Sequence, residues 1–146
     1  MTDKAPGPQS NDHEAHEGHE DVRDRFDDLS RLVVDAGLSV HKVLGPGLLE
    51  STYEHCLVHE LRSRGVASNR QVPIPIIYKG AKLDAGYRID LIVENSIIVE
   101  VKTVEALTRL HEAQILTYLR LSGLRTGFLM NFNVTLFKNG LKRFGL

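Results

Sequence analysis

The sequence predicts an α/β domain, α+β-like in character: two helices come first, then a β-rich middle, then a further helix that leads into closing strands. Three observations carry that prediction. Apolar residues recur at helical spacing from Arg23 to Leu44 and again from about Leu48 to Arg64. Tyr87 to Lys102 alternates β-branched residues around Glu94-Asn95-Ser96, which is the composition of a β-hairpin. A third helical pattern, from about Val104 to Leu121, follows the hairpin directly.

At 146 residues the chain suffices for one ordinary domain and falls short of two substantial ones. Its 42% hydrophobic and 25% charged content is that of a soluble globular protein. Cys56 is the only cysteine, which excludes an intramolecular disulfide and a Cys-rich zinc site and fits a reducing cytoplasm, the expected location. No apolar run follows a basic start and nowhere do 18 apolar residues stand together, so neither a signal peptide nor a membrane span is expected.

Residues 1–22 combine Pro6, Gly7, Pro8 and Ser10 with a string of acids and almost no large apolar side chain, so they are expected to be a disordered tail ahead of a single domain over 23–146. His13, His16 and His19 beside Glu14, Glu17 and Glu20 could bind a soft divalent metal; a merely solvated tail is the competing reading. Charge is divided unevenly. Residues 1–28 hold nine acids against Lys4, Arg23 and Arg25, a net −6, which leaves the remainder at +5. That is compatible with a polyanionic partner and too weak to imply one alone.

Along the first helix Phe26, Leu29, Val33, Ala36, Val40 and Val43/Leu44 form the apolar stripe, and Gly45-Pro46-Gly47 stops it. Leu49, Tyr53, Cys56, Leu57 and Leu61 form the second stripe, closed by Gly65 as the C′ residue. Glu50, in its first turn, is favoured there by the helix dipole whatever else it does. Residues 70–78 alternate as a strand that Pro73 and Pro75 confine to an edge. Ser122-Gly123 closes the third helix, Thr126 to Phe132 and Val134 to Phe137 read as strands, and Asn139-Gly140 reads as a type I′ turn into a last strand, Leu141 to Phe144.

The hairpin's loop length decides its chemistry. A two-residue loop, Asn95 and Ser96, would put Asp90 and Glu100 on opposite faces. A three-residue loop, Glu94 to Ser96, pairs Val93 with Ile97 and therefore Asp90 with Glu100, and it alone gathers Ile89, Leu91, Val93, Ile97, Val99 and Val101 on one wholly apolar face. Adjacent acids repel, by roughly 0.2–1 kcal/mol for a cross-strand pair. A cation between them removes that penalty; a solvated polar face with Lys102 pairing the acids is the plainer reading. On the third helix His111, Gln114 and Tyr118 share one face, as residues of a site or of a solvated stripe.

Together these residues resemble a known family. Gly47-Leu48-Leu49-Glu50-Ser51-Thr52-Tyr53 is similar to the signature of the GxxExxY protein family, a branch of the PD-(D/E)XK nuclease superfamily. Asp90 followed by Glu100-Val101-Lys102 resembles that superfamily's D…ExK core, and Gln114 to Tyr118 resembles the QxxxY motif of its RecB-like nucleases. The likeness runs from roughly Leu29 to Phe144, with Ile89 standing where the motif's name has proline.

The resemblance implies a restriction-endonuclease-like core, a central mixed β-sheet flanked by helices, and a Mg²⁺-dependent phosphodiesterase for which Mn²⁺ can substitute. It implies Asp90, Glu100 and the Val101 carbonyl as metal ligands, with Glu50 reaching the metal directly or through water. Lys102 would orient or help deprotonate the attacking water, and Gln114 and Tyr118 would position the phosphate or hold Lys102, with His111 nearby. Glu54, one turn beyond Glu50, is a further candidate. The expected partner is nucleic acid, DNA before RNA by analogy alone, with a homo-oligomer or partner protein as an aid to engaging it and no membrane. Two other functions stand beside this one: a catalytically silent binding scaffold of the same fold, and a phosphohydrolase acting on a small phosphorylated molecule.

Overall fold

Burying Ile89, Leu91, Val93, Ile97, Val99 and Val101 together requires the hairpin to lie at the centre of the molecule, and none of the six is more than 1% exposed. The computed structural model describes residues 12–146, with side chains at Arg25 and from Asp27 onward. The hairpin strands are β4 (Arg88–Val93) and β5 (Ile97–Lys102), paired Leu91 with Val99, Ile92 with Ile98 and Val93 with Ile97. This is the three-residue register. Glu94 and Asn95 turn it at φ 49° and 52°, a left-handed conformation that Asn tolerates better than most side chains.

Around the hairpin stand β1 (Ser68–Pro73), β6 (Thr126–Asn131) and β7 (Leu141–Gly145), giving a five-stranded sheet in the order β1-β4-β5-β6-β7. Only β5 and β6 run parallel, and the connection between them carries α3 (Arg109–Ser122), as a parallel pair requires. Ile115, Tyr118 and Leu119 of α3 pack on Ile98 and Leu129. The opposite face is covered by the later part of α1 (Asp12–Leu44), through Val33, Ala36 and Val40, and by α2 (Glu50–Ser63), through Tyr53, Leu57 and Leu61. The sheet is therefore mixed and flanked by helices, an α/β architecture. A separate two-stranded hairpin, β2 (Ile76–Tyr78) and β3 (Ala81–Leu83), branches off where Ile74 and Pro75 end β1.

The chain divides into two units, residues 1–31 and 32–146, and the candidate site belongs wholly to the second. The first helix begins at Asp12 instead of Arg23, so it includes eleven residues expected to be disordered. Their Asp, Glu and Ala are tolerated or favoured in a helix, acids near its start most of all. Residues 1–11, and the side chains of His13, His16 and His19, lie outside the described residues.

Several expected boundaries move for physical reasons. Leu49 is an N-cap residue, 75% exposed, and drops out of the α2 stripe. The third helix begins at Arg109, five residues late, because Val104 gives both its N–H and its carbonyl to the side chain of Asn131 and Thr108 caps the helix instead. Val134 to Phe137 is not a strand. The Val134 carbonyl bonds His41 Nε2 at 2.7 Å, and Phe137 turns inward, 5.5 Å from the Phe132 ring centre, within a 3₁₀ turn, Phe137–Asn139.

Nor is Asn139-Gly140 a type I′ turn, since Gly140 has φ −104°. Glycine is needed there for space. The Asn131 N–H donates to the Gly140 carbonyl at 2.8 Å, and a Cβ on Gly140 would collide with the Asn131 carbonyl oxygen. Gly140→Ala is therefore expected to destabilise the fold by about 2 kcal/mol or more, read as a shift of the urea midpoint; an unchanged midpoint would contradict this close approach.

Candidate active site

Two carboxylates interrupt the ladder between β4 and β5. It ends at Leu91 and Val99, and in the continuing register Ile89 would face Val101. The Val101 N–H instead donates to Asp90 Oδ2 at 2.8 Å, while Glu100 Oε1 accepts from the Asp90 N–H at 3.1 Å. Each acid thus binds the backbone of the other's strand, and the strands part around them. A strand residue presents its N–H and C=O at the same edge, so the Val101 carbonyl also faces this opening.

The pairing is electrostatically costly. Glu100 is 3% exposed, and burial first, then the neighbouring Asp90 charge, pushes its carboxyl up to about 9; the nearby Lys102 ammonium opposes this only partly.

Glu50 enters from α2. Its Oε1 accepts from the Thr103 N–H at 3.2 Å, two residues beyond Val101 and so about 6.6 Å further along the strand. Tyr53 fixes that approach. Fully buried and stacked on Phe132 with ring centres 4.3 Å apart, it donates its hydroxyl to the Gly45 carbonyl at 2.6 Å and accepts from the Leu48 N–H at 3.2 Å. Gly47, at φ 105°, supplies the turn just before. The Gly47, Glu50 and Tyr53 spacing is therefore a device that aims one carboxylate: a turn, the acid one residue into the helix, and the ring that ties the turn down.

From the other side, Lys102 Nζ donates to Gln114 Oε1 at 3.5 Å and Gln114 Nε2 donates to the Tyr118 hydroxyl at 3.0 Å. Because that hydroxyl accepts from Gln114, its own proton remains available to a further acceptor. Burial foremost, then the charge of Glu100, raises the Tyr118 pKa. His111 is placed differently: its Nδ1 accepts from the Thr108 N–H at 3.0 Å and closes a capping box with the Thr108 hydroxyl. Its side chain is engaged at the helix end and not with Lys102.

Sequence reasoning overlooked Gln71 and Arg70. Glu54 is buried, its pKa raised chiefly by that burial, and its Oε1 accepts from Gln71 Nε2 at 2.7 Å and from an Arg70 guanidinium nitrogen at 3.3 Å. Gln71 Nε2 also lies 3.4 Å from Asp90 Oδ1, tying α2 to the interrupted ladder. It does so from a left-handed backbone, φ 52°, on a strand. Nothing in the sequence marks it, since Gln between Arg70 and Val72 is ordinary edge-strand composition.

Among the described residues, no three His, Cys, Asp or Glu side chains are gathered closely enough to hold a metal ion by themselves. Glu50 binds the Thr103 N–H, two residues beyond Val101, and does not join Asp90 and Glu100 in such a group. The donors that do converge are hard oxygens: the Asp90 and Glu100 carboxylates and the Val101 carbonyl. They fit a cation that keeps several waters, as Mg²⁺ does, and they do not form an all-protein cage.

The sequence profile of the PD-(D/E)XK nuclease superfamily matches residues 27–144. The chain belongs to the PD-(D/E)XK nuclease superfamily. Membership accords with the mixed sheet and its flanking helices, and it supports enzymatic hydrolysis of phosphodiester bonds. PD-(D/E)XK nucleases generally use divalent metal ions. No curated protein and no solved structure matches the chain. Among the described residues, no helix is long and apolar enough to cross a membrane.

The raised Glu100 pKa has a consequence for stability. Below about pH 4.5, the ordinary carboxyl value, folded and unfolded chains both hold the proton and Glu100 contributes nothing. Between that value and about 9 the unfolded chain ionises while the folded one does not, so stability falls as pH rises, by at most about 1.4 kcal/mol per pH unit. Metal-free Glu100→Gln keeps a neutral side chain and should gain on the wild type across pH 5 to 8 in denaturant titrations. Parallel pH profiles for the two proteins would contradict the buried-acid assignment.

Proposed function

We propose that this PD-(D/E)XK protein is a Mg²⁺-dependent nuclease, accepting Mn²⁺, that cleaves DNA in preference to RNA and belongs to the GxxExxY branch through Gly47, Glu50 and Tyr53. The observation that carries the reading is the parted ladder: two acids held together, one of them buried, with Lys102 beside them on β5. Ordinary sheet pairing would be stronger without them.

Asp90, Glu100 and the Val101 carbonyl would hold the metal, and Glu50 would reach it through water. When bound, Mg²⁺ supplies neutralising charge for the phosphate oxygens and acidity for a bound water. Lys102, held to Gln114, orients the attacking water and balances charge that develops on the phosphate. Tyr118, receiving the Gln114 amide, turns its own O–H toward a phosphate oxygen, and Gln114 thereby keeps ammonium and phenol at a fixed spacing. Glu54, through Gln71, holds Asp90 in its rotamer without contacting substrate. The enzyme acts in the cytoplasm on nucleic acid, as an oligomer or with a partner protein that adds to a modest positive field.

Incubation of labelled single- and double-stranded oligonucleotides with Mg²⁺ or Mn²⁺ at low salt tests this. Cleavage should vanish in EDTA and fall at least about 100-fold in Lys102→Ala and in Asp90→Ala. Cleavage that survives both substitutions would overturn the assignment. Salt-sensitive binding without cleavage would favour a scaffold, and release of phosphate only from small phosphoesters would favour a phosphohydrolase.

A further inference from the structure

Gln114 and Tyr118 have a second environment. Besides their link to Lys102 they line a groove of about 620 Å³ between α3 and the β2–β3 hairpin, walled by Ile76, Leu83, Tyr87 and Leu110. The groove is open and largely apolar. Tyr87 is 46% exposed, Leu83 47% and Leu110 77%. Apolar surface in water carries a free-energy penalty unless something covers it, and this surface lies at the very residues proposed to hold the scissile phosphate.

We propose that the groove receives an unpaired nucleobase adjacent to the phosphate being cleaved, and hence that the substrate is a single strand or a strand with an extruded base. The inference rests on the nuclease reading and narrows it to one class of substrate.

Three features select this occupant. The first is continuity: two side chains belong both to the hydrogen-bond relay from Lys102 and to the groove, so a group seated in the groove is attached within a nucleotide's length of the reacting phosphate. The second is chemistry. An exposed phenol ring and aliphatic walls offer a face for stacking, and His111, Gln114, Thr117 and Tyr118 add polar groups to the same lining, which suits a base and gives no purchase to a stacked duplex. The third is charge. Residues 76–88 and 109–118, which form the walls, carry Lys79, Lys82, Arg88 and Arg109 against Asp84 and Glu112, and Glu112 is already paired with Lys142. No acid lines the groove. Excess positive charge on the two segments that supply the lining suits a strand whose phosphates pass an apolar slot while one base turns inward. A folded partner protein would instead need a flatter and larger apolar surface.

The test uses binding so that it does not depend on turnover. Fluorescence anisotropy of a labelled twelve-base thymidine strand, with the cleavage-impaired Lys102→Ala protein at fixed salt, should show affinity about ten-fold above that for the same strand in a duplex. Removing the bases one at a time should reveal a single position where an abasic site costs about ten-fold. Tyr87→Ala, and Ala113→Phe, which fills the slot, should lower wild-type affinity for the single strand by a similar factor and leave duplex affinity unchanged. Circular dichroism and urea midpoints confirm that both variants fold. Equal affinity for single strand and duplex, or indifference to every abasic site, overturns the proposal. So does concentration-dependent self-association that Tyr87→Ala abolishes without any change in strand binding, which would make the groove a contact between copies. If wild type cleaves duplex and single strand alike, the nuclease reading stands and this inference fails. If base-dependent binding is found and no strand is ever cut, the groove stands and the hydrolytic reading fails.

Discussion

The structure depends on a conflict at one point of its sheet. Between Asp90 and Glu100 the hydrophobic pattern and the electrostatics oppose each other: burying six apolar side chains on one face forces the two acids into adjacent positions on the other. The hydrophobic term dominates. Each of the six buried aliphatic side chains is worth about 1.5–3 kcal/mol, and the cost of burying Glu100 beside Asp90 is lowered because its carboxyl, pushed up to about 9, holds its proton in the metal-free fold. The conflict surfaces as backbone, since the acids take the Asp90 and Val101 N–H groups and the ladder opens. That opening gives two strands of a packed sheet a set of oxygen donors facing one another.

Elements from three directions converge on the opening, each tied down by a side chain with no chemical part in the site. Tyr53 fixes the turn that aims Glu50, Asn131 secures the segment after Lys102 by holding both backbone groups of Val104, and Gln71 links Glu54 to Asp90. The Thr108 and His111 capping box sets where α3 begins, which in turn places Gln114 and Tyr118 one and two turns beyond His111, Gln114 against Lys102 and Tyr118 against Gln114. Rigid support of this kind is what preorganised charge requires, because an acid free to rotate would relieve its repulsion by moving away.

How much of this was legible depended on the range of the interaction. The hairpin register could be read because a one-residue slip moves an entire apolar face, a large energy difference encoded within sixteen consecutive residues. Gly65 and Gly123, both at φ 76°, end their helices where local signals put them. The failures lie where distant partners decide. Nothing within Val134 to Phe137 announces that Phe137 will turn in beside His41 and Phe132, or that Gly140 is required by the Asn131 carbonyl and not by its own turn. Gln71 could not be found because its role comes from standing opposite Asp90 across β1 and β4, with a backbone that no pattern of neighbours foretells. His111 shared a helical face with Gln114 and Tyr118, yet a helix end claims its ring first.

Calorimetric titration of Mg²⁺ or Mn²⁺ into the metal-free protein tests the central claim most directly, that the Asp90 and Glu100 carboxylates are held together to share a cation. The account predicts saturable binding to the wild type that weakens at least about ten-fold in Glu100→Gln, with the variant folded. An isotherm unchanged by that substitution would mean that the opened ladder does not bind the metal.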